Sequence, residues 1–187
     1  MAAAPLARPA VFLDRDGVLN HSEVHDGKAY APRRLEEFVI MPGVPDALTA
    51  LKAAGYLLIV VTNQPDVGNG FVQRGTVELM NRRLAETLTV DAIEVCFHRQ
   101  ADGCSCRKPK PGMLLAAAGR LGIDLKASFM VGDRGSDVEA GAAAGCRTLF
   151  IDRHYAEGIQ VIPDLTVDSM AAAAAAILGW PPVEHPG

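Results

Sequence analysis

The chain has 187 residues, of which 49% are hydrophobic and 21% are charged, and its formal net charge at pH 7 is -4. This is the composition of a globular protein rather than a disordered one, and the length predicts a single domain over residues 1–187. No basic block suggests a nucleic-acid partner, and no apolar run is long enough to span a membrane. The first nine residues lack the hydrophobic region of a signal peptide, so we expect a cytoplasmic protein. We also expect it to be a monomer.

Strand-like and helix-like segments alternate along the chain. Short apolar runs predict five buried strands, and amphipathic or alanine-rich runs predict five helices. In chain order the predictions are strand 10–13, helix 44–55, strand 56–64, helix 75–88, strand 92–97, helix 110–122, a strand that begins at 128 and runs into a polar turn ending at 137, helix 138–145, strand 146–151 and helix 168–180.

Buried strands that alternate with helices predict an α/β fold, a doubly wound parallel sheet with helices on both faces. Ligands of such sheets bind beyond the carboxyl ends of the strands. Polar clusters follow three of the predicted strands: DRD after the first, TNQ after the second and GDRGSD after the fourth. The three clusters should therefore meet at one edge of the sheet.

Four aspartates belong to these clusters. Asp14 and Asp16 follow the first strand, and Asp133 and Asp137 follow the fourth. Carboxylates that gather away from water repel one another unless a cation or hydrogen-bond donors compensate. A hard cation such as Mg²⁺ prefers oxygen ligands, and a carboxylate can attack phosphorus while a second acid moves the proton. A lone Asp-x-Asp more often caps a turn, but here TNQ, Lys108 and GDRGSD accompany it, which favours chemistry.

Four motifs, in order along the chain, resemble those of the haloacid-dehalogenase superfamily. DRDGVLN resembles the first motif, D-x-D-G-[TV], and VVTNQ the second, a strand that ends in threonine or serine. The lysine of CRKPKPG resembles the third motif, and VGDRGSD the fourth, G-D-x-x-x-D. The resemblance spans Asp14 to Asp137 and implies a Rossmannoid phosphatase that works through an aspartyl-phosphate. Asp137 would lie behind the metal ligands or orient Lys108.

The resemblance also implies roles for individual residues. Asp14 would be the nucleophile, and Asp16 would protonate the leaving group and then activate the hydrolytic water. Catalytic Mg²⁺ would be held by the Asp14 carboxylate, the Asp16 backbone carbonyl and Asp133. Thr62 and Lys108 would bind the oxygens of the transferring phosphoryl group.

Three cysteines and a histidine form a second cluster, Cys96-x-His98 followed by Cys104-x-Cys106. Three sulfur ligands and one imidazole are a tetrahedral set suited to Zn²⁺, and because all four positions are protein ligands the zinc should be structural. The other interpretation is three free thiols and a surface histidine. Cys146 lies outside the cluster and is predicted to be a small buried residue.

Together with DRDG and TNQ, the zinc pattern resembles the branch that contains the heptose-bisphosphate and histidinol-phosphate phosphatases. This implies that there is no large cap domain and that loops, including the zinc-stapled loop, shape the pocket. The implied reaction removes the 7-phosphate of D-glycero-D-manno-heptose 1,7-bisphosphate, a small phosphorylated metabolite. Arg107 would recognise substrate, Asn63 and Gln64 would lie against it, and Arg134 would be a basic residue near the metal and phosphate.

Two departures from the heptose enzymes leave the substrate open. Asn69 occupies the place of an expected arginine, and the gap between His98 and Cys104 is the shorter one of the histidinol-phosphate type. The alternatives are histidinol phosphate or another small metabolite as substrate, and a phosphotransferase that shares the intermediate. From a different class comes a non-catalytic, zinc-stabilised binding module. Residues 20–34 contribute no predicted site residue.

Overall fold

The computed structural model describes residues 7–181. Its strands are β1 Ala10–Leu13, β2 Glu23–His25, β3 Lys28–Tyr30, β4 Leu57–Asn63, β5 Ala92–Cys96, β6 Phe129–Gly132, β7 Arg147–Ile151 and β8 Leu165–Val167. Its α-helices are α1 Val44–Ala53, α2 Pro65–Gly68, α3 Arg74–Thr87, α4 Gly112–Leu121, α5 Gly135–Ala144 and α6 Met170–Leu178. Short 3₁₀ turns occupy Leu35–Glu37, Gln100–Asp102 and Leu125–Ala127. None of the helices described has both the length and the apolar character needed to cross a bilayer.

Six strands form one parallel sheet in the order β5-β4-β1-β6-β7-β8. The chain builds outward from β1 to β5 on one side, then returns to place β6 against the other side of β1. The strand order therefore reverses between β1 and β6, which is where sheets of this kind bind ligands. The predicted doubly wound parallel sheet is confirmed.

Side chains of β1 alternate between the two faces of the sheet, as the period of two in a strand requires. Val11 and Leu13 pack in one hydrophobic cluster with residues of α1, α3 and α6. Ala10 and Phe12 pack in a second cluster with residues of α4 and α5. All four are fully buried, because helices cover both faces of this central strand.

The structure contains three further elements that the sequence pattern does not predict. β2 and β3 form an antiparallel hairpin within residues 20–34, and its turn is Asp26-Gly27, both with positive φ. Asp-Gly is a recognised hairpin turn signal, but each flanking strand has only three residues, which is too short for a clear alternation of apolar and polar residues. The short edge strand β8 and the four-residue helix α2 are also additional.

Helix α5 begins at Gly135, earlier than predicted, so that Ser136 and Asp137 are helical rather than part of a turn. The physical reason is a hydrogen bond of 3.0 Å from the Arg134 backbone N–H to Asp137 Oδ2, which satisfies a backbone donor at the start of the helix. As a result, Asp137 points back toward the end of β6.

Small residues bring α5 close to the sheet, and Gly141 lies directly against β6 and β7. A Cβ atom at this position would lie 2.5 Å from Met130 Cβ and 2.9 Å from Thr148 Cγ2, which is nearer than van der Waals contact. Gly119, on the exposed side of α4, has open space at the same position.

Two glycine-to-alanine substitutions should therefore have opposite effects on stability. Gly141→Ala should lower the free energy of unfolding by about 1–3 kcal/mol, because α5 must move away from β6 and β7. Gly119→Ala, the matched control, should raise it by up to about 1 kcal/mol through helix propensity alone. Urea unfolding of both variants measures the difference, and equal effects would contradict the close packing of α5.

Candidate active site

A cavity of about 920 Å³ opens at the carboxyl edge of the sheet, where the strand order reverses. Its floor is formed by Lys108 and by residues at the ends of β1, β4 and β6, and the rest of the segment between β5 and α4 forms one side. The hairpin and the segment after β7 form the opposite side. The lining residues include Asp14, Asp16, Tyr30, Asn63, Gln64, Arg107, Lys108, Asp133, Arg134, Asp137 and Tyr155.

Lys108 is the cation at the centre of this floor. Its Nζ atom donates hydrogen bonds to Asp14 Oδ1 and to the Val61 carbonyl, both over 2.7 Å, and it lies 2.6 Å from Asp137 Oδ1. The side chain is only 2% exposed. A buried ammonium group with such partners is held in one position, so Lys108 ties the end of β1 to the start of α5.

The electrostatic balance of the site is negative. Burial, followed by the charges of Asp137 and Asp16, raises the pKa of Asp14 to about 6, although Lys108 opposes the shift. Burial and the charges of Asp14 and Asp137 raise the pKa of Asp133 well above its usual value. Burial disfavours the Lys108 charge, but Asp137 and Asp14 outweigh it and raise the pKa of Lys108.

Oxygen atoms suited to a divalent cation converge beside Lys108. One carboxylate oxygen from each of Asp14, Asp133 and Asp137 lies within 4.8 Å of the others. Asp133 Oδ1 is buried and has no hydrogen-bond partner among the described residues. An excess of buried carboxylates with an unpartnered oxygen fits a hard cation, and the donor set suits Mg²⁺. Asp16 does not contribute its carboxylate to this group.

The Asp16 carboxylate instead receives hydrogen bonds from three side chains. Gln64 Nε2 lies 2.7 Å from Oδ2, Asn20 Nδ2 lies 2.9 Å from Oδ1, and Arg15 Nη2 lies 3.1 Å from both oxygens. Arg15 is fully buried and also donates to Asn81 Oδ1 over 2.8 Å. Arg15 and Asn20 lie within the DRDGVLN segment, but the motif assigns them no role, and their hydrogen bonds become visible only in the folded chain.

The three residues of the TNQ motif occupy different positions. Thr62 is buried, and its Oγ1 accepts a hydrogen bond of 2.9 Å from Gln64 Nε2, which leaves the hydroxyl hydrogen free to donate elsewhere. Asn63 donates to the Lys108 carbonyl over 3.0 Å and accepts from the Lys108 N–H over 3.1 Å. Asn63 and Gln64 line the cavity, whereas Thr62 lies behind Gln64.

Two arginines line the cavity. Arg107 has a buried guanidinium nitrogen, Nη1, without a hydrogen-bond partner among the residues described. Arg134 is engaged with the wall, since it donates to the Ala29 carbonyl over 2.6 Å and to Glu157 Oε2 over 3.2 Å. Arg107 therefore keeps an unsatisfied donor at the wall of the cavity, whereas both terminal nitrogens of Arg134 are hydrogen-bonded.

The predicted zinc ligands come together in space. The ligand atoms of Cys96, His98, Cys104 and Cys106 lie within 4.8 Å of one another, and the measured separations among them fall between 3.3 and 3.7 Å. Such separations fit the edges of a tetrahedron with Zn–S bonds of about 2.3 Å. The cluster can hold zinc, and its last member, Cys106, lies two residues before Lys108.

Comparisons with known proteins support these observations. A family model for haloacid dehalogenase-like hydrolases matches residues 21–145. The chain is 38% identical over 173 residues to D-glycero-beta-D-manno-heptose-1,7-bisphosphate 7-phosphatase of Pseudomonas putida, covering 88% of this chain and 96% of the relative. It is 41% identical over 162 residues to the Vibrio cholerae protein of the same name, covering 79% and 83%.

A solved structure also resembles this fold. The D,D-heptose 1,7-bisphosphate phosphatase of B. bronchiseptica, crystallised with magnesium and phosphate, superposes with a TM-score of 0.78 at 32% identity. The match covers 91% of this chain and 98% of that one. It extends the similarity beyond the residues that the family model matches.

Asp14→Asn should stabilise the metal-free protein. The raised pKa means that the folded state holds the proton more tightly than the unfolded state, so ionisation of Asp14 lowers the free energy of unfolding as pH rises from about 4 to about 6. A shift of about two pKa units corresponds to ~3 kcal/mol at most. Thermal unfolding in magnesium-free buffer, without a chelator that strips zinc, should give a higher Tm for the variant at pH 7.5. Near pH 4 the difference should vanish, and a difference independent of pH would contradict this account.

Cys104→Ser should remove zinc and lower stability, because three ligands bind zinc less tightly than four. The measurements are zinc content by mass spectrometry and the thermal unfolding temperature. Cys146→Ser is the matched control, since Cys146 is buried outside the cluster and its replacement should leave zinc content near one per chain. Equal zinc content in the two variants would exclude the cluster as the zinc site.

Proposed function

Because the chain belongs to the haloacid dehalogenase-like hydrolases, we propose that it is a magnesium-dependent phosphatase that removes the 7-phosphate of D-glycero-β-D-manno-heptose 1,7-bisphosphate. The observation that carries the proposal is the buried Lys108 ammonium joined to Asp14 and Asp137, with Asp133 beside them, on the floor of a large open cavity. A binding module would have no need for this costly concentration of charge.

In the first half of the reaction, an Asp14 carboxylate oxygen attacks phosphorus and the bond from phosphorus to the sugar oxygen breaks. Asp16, in its protonated form, gives its proton to the departing oxygen. The product is a dephosphorylated sugar hydroxyl and an aspartyl-phosphate on Asp14. The hydrogen bonds to Asp16 from Gln64 and Asn20 fix where its carboxyl group lies during this transfer.

In the second half, the Asp16 carboxylate takes a proton from water, and the water oxygen attacks phosphorus. The bond between phosphorus and the Asp14 oxygen breaks, which releases inorganic phosphate and restores both carboxyl groups. We assign to the phosphoryl oxygens the Thr62 hydroxyl and the Lys108 ammonium group, which would exchange one of its three present partners for a phosphoryl oxygen.

Mg²⁺, when bound, would neutralise part of the charge that the carboxylates and the phosphoryl group bring together, and would orient the phosphoryl oxygens. We assign it to the carboxylates of Asp14 and Asp133 and to the backbone carbonyl of Asp16, with Asp137 orienting Lys108. Zinc has a structural role in the loop that leads to Lys108. The thiol-rich cluster suits a reducing compartment, and we propose that the protein acts in the cytoplasm as a monomer.

The choice of substrate follows from the relatives. Both curated relatives above carry the heptose bisphosphate in their names, and a bisphosphate has a second anion to be recognised. Arg107 offers an unpartnered guanidinium nitrogen in the cavity for that anion, and Asn63 and Gln64 line the same space. Asn69 is exposed and does not line the cavity as the structure describes it, so its difference from the heptose enzymes does not argue against this substrate.

The test is phosphate release from a panel that holds both anomers of heptose 1,7-bisphosphate, histidinol phosphate and common sugar phosphates, with Mg²⁺ present. The β anomer should have the highest kcat/KM, and Asp14→Asn, which remains folded, should be inactive on every substrate. Preference for histidinol phosphate would leave the proposed phosphatase mechanism in place and show that the proposed substrate is wrong. Transfer of phosphate to added alcohols in preference to water would indicate a phosphotransferase, and no turnover at all would favour the binding module.

Arg107→Ala should lower kcat/KM for the preferred bisphosphate by about 10–100-fold, the value of a lost charged hydrogen bond. Activity on p-nitrophenyl phosphate, which lacks a second phosphate, should fall much less. Arg99→Ala is the matched control on the same loop, because Arg99 is exposed and pairs with Asp102. An equal loss on both substrates would exclude recognition of the second phosphate by Arg107.

A further inference from the structure

The hydroxyl group of Tyr155 donates a hydrogen bond of 2.8 Å to Asp133 Oδ2. Tyr155 lies between β7 and β8, outside all four motifs. Asp133 is 1% exposed, and its other oxygen, Oδ1, is buried without a hydrogen-bond partner among the described residues. The two oxygens of this carboxylate therefore have different surroundings, since the protein holds one and leaves the other available.

We propose that Tyr155 is a positioning residue for the metal site, whose hydroxyl group fixes Asp133 so that Oδ1 is presented to Mg²⁺. The inference rests on the proposed function, because it takes Asp133 as a magnesium ligand. Groups that hydrogen-bond to a metal ligand set its orientation, and their removal typically weakens metal binding by about 10–100-fold.

The backbone beside this hydrogen bond leaves room for it. Gly17, in the turn after β1, has a φ of +88°, and a Cβ atom there would overlap Asp133 Oδ2 and lie 2.9 Å from the Tyr155 hydroxyl oxygen. Arg153 Nε donates a hydrogen bond of 2.9 Å to the Gly17 carbonyl. The segment that carries Tyr155 is thus tied directly to the turn that admits its hydroxyl group.

The residues on either side of Tyr155 are also held. The His154 N–H donates to Asp152 Oδ1 over 2.7 Å, and the Ala156 N–H donates to the Gly27 carbonyl in the hairpin over 2.8 Å. Anchors before and after Tyr155 keep its hydroxyl group beside Asp133 without a bound ligand. A carboxylate that is oriented in advance binds a cation with less loss of side-chain entropy, because its rotation is already restricted.

The experiment is calorimetric titration of MgCl₂ into zinc-loaded wild type, Tyr155→Phe and Tyr56→Phe. Both substitutions remove one hydroxyl group and keep the ring. Tyr56 is the matched control, because it precedes β4 at the amino ends of the strands, away from the site, and packs against Phe129. We expect the Kd for Mg²⁺ to rise about tenfold in Tyr155→Phe and to stay unchanged in Tyr56→Phe.

Kinetics supply a second measurement. In Tyr155→Phe, the Mg²⁺ concentration for half-maximal activity should rise by the same factor as Kd, while kcat at saturating Mg²⁺ stays within about twofold of wild type. A lower unfolding temperature with an unchanged Kd would assign Tyr155 to packing and overturn the inference alone. A wild-type protein that binds no Mg²⁺ would overturn the proposed function and this inference with it.

Discussion

A single buried lysine opposes several carboxylates at the carboxyl edge of the sheet, and the rest of the site depends on how that imbalance is held. Lys108 contacts Asp14 and Asp137 directly, yet burial, followed by the charges of the neighbouring carboxylates, still raises the pKa of Asp14. Like charges in a dry environment destabilise a fold unless a cation joins them. Stability and catalysis therefore conflict here, because the charges that lower stability are those assigned to bind the metal and attack phosphorus.

Two features hold Lys108 in position: the neighbouring zinc cluster and the side chain of Asn63 at the end of β4. Cys106 of the zinc cluster lies two residues earlier, and the Asn63 side chain bonds to both backbone polar groups of Lys108. The cluster thus shares with β4 the task of holding the loop that carries the lysine. Such a loop has few apolar side chains of its own, and zinc ligation would replace the core that it lacks.

Much of the fold and part of the site could be predicted from the sequence, for identifiable reasons. Apolar runs predict five strands and five helices. Motifs with local spacing identify Asp14, Lys108, Asp133 and the four candidate zinc ligands. The functions assigned to them remain predictions. Roles for Arg15 and Tyr155 could not be predicted in this way, because their partners are distant in sequence. Arg15 contacts Asn81, and Tyr155 contacts Asp133. The hairpin could not be predicted because each of its strands has only three residues, fewer than the four to eight over which alternation indicates a strand.

Strand β1 is the first element of the sheet to be synthesised, yet it occupies a central place between β4 and β6. Its four apolar residues leave the ribosome before either neighbouring strand exists, and the second neighbour follows only after α4. During that interval an unpaired hydrophobic strand edge is exposed to other chains, as in slow-folding parallel sheets generally. The residue order that places Asp14, the proposed nucleophile, at the centre of the sheet thus gives the nascent chain a long period of vulnerability to aggregation, during which chaperone binding would protect it.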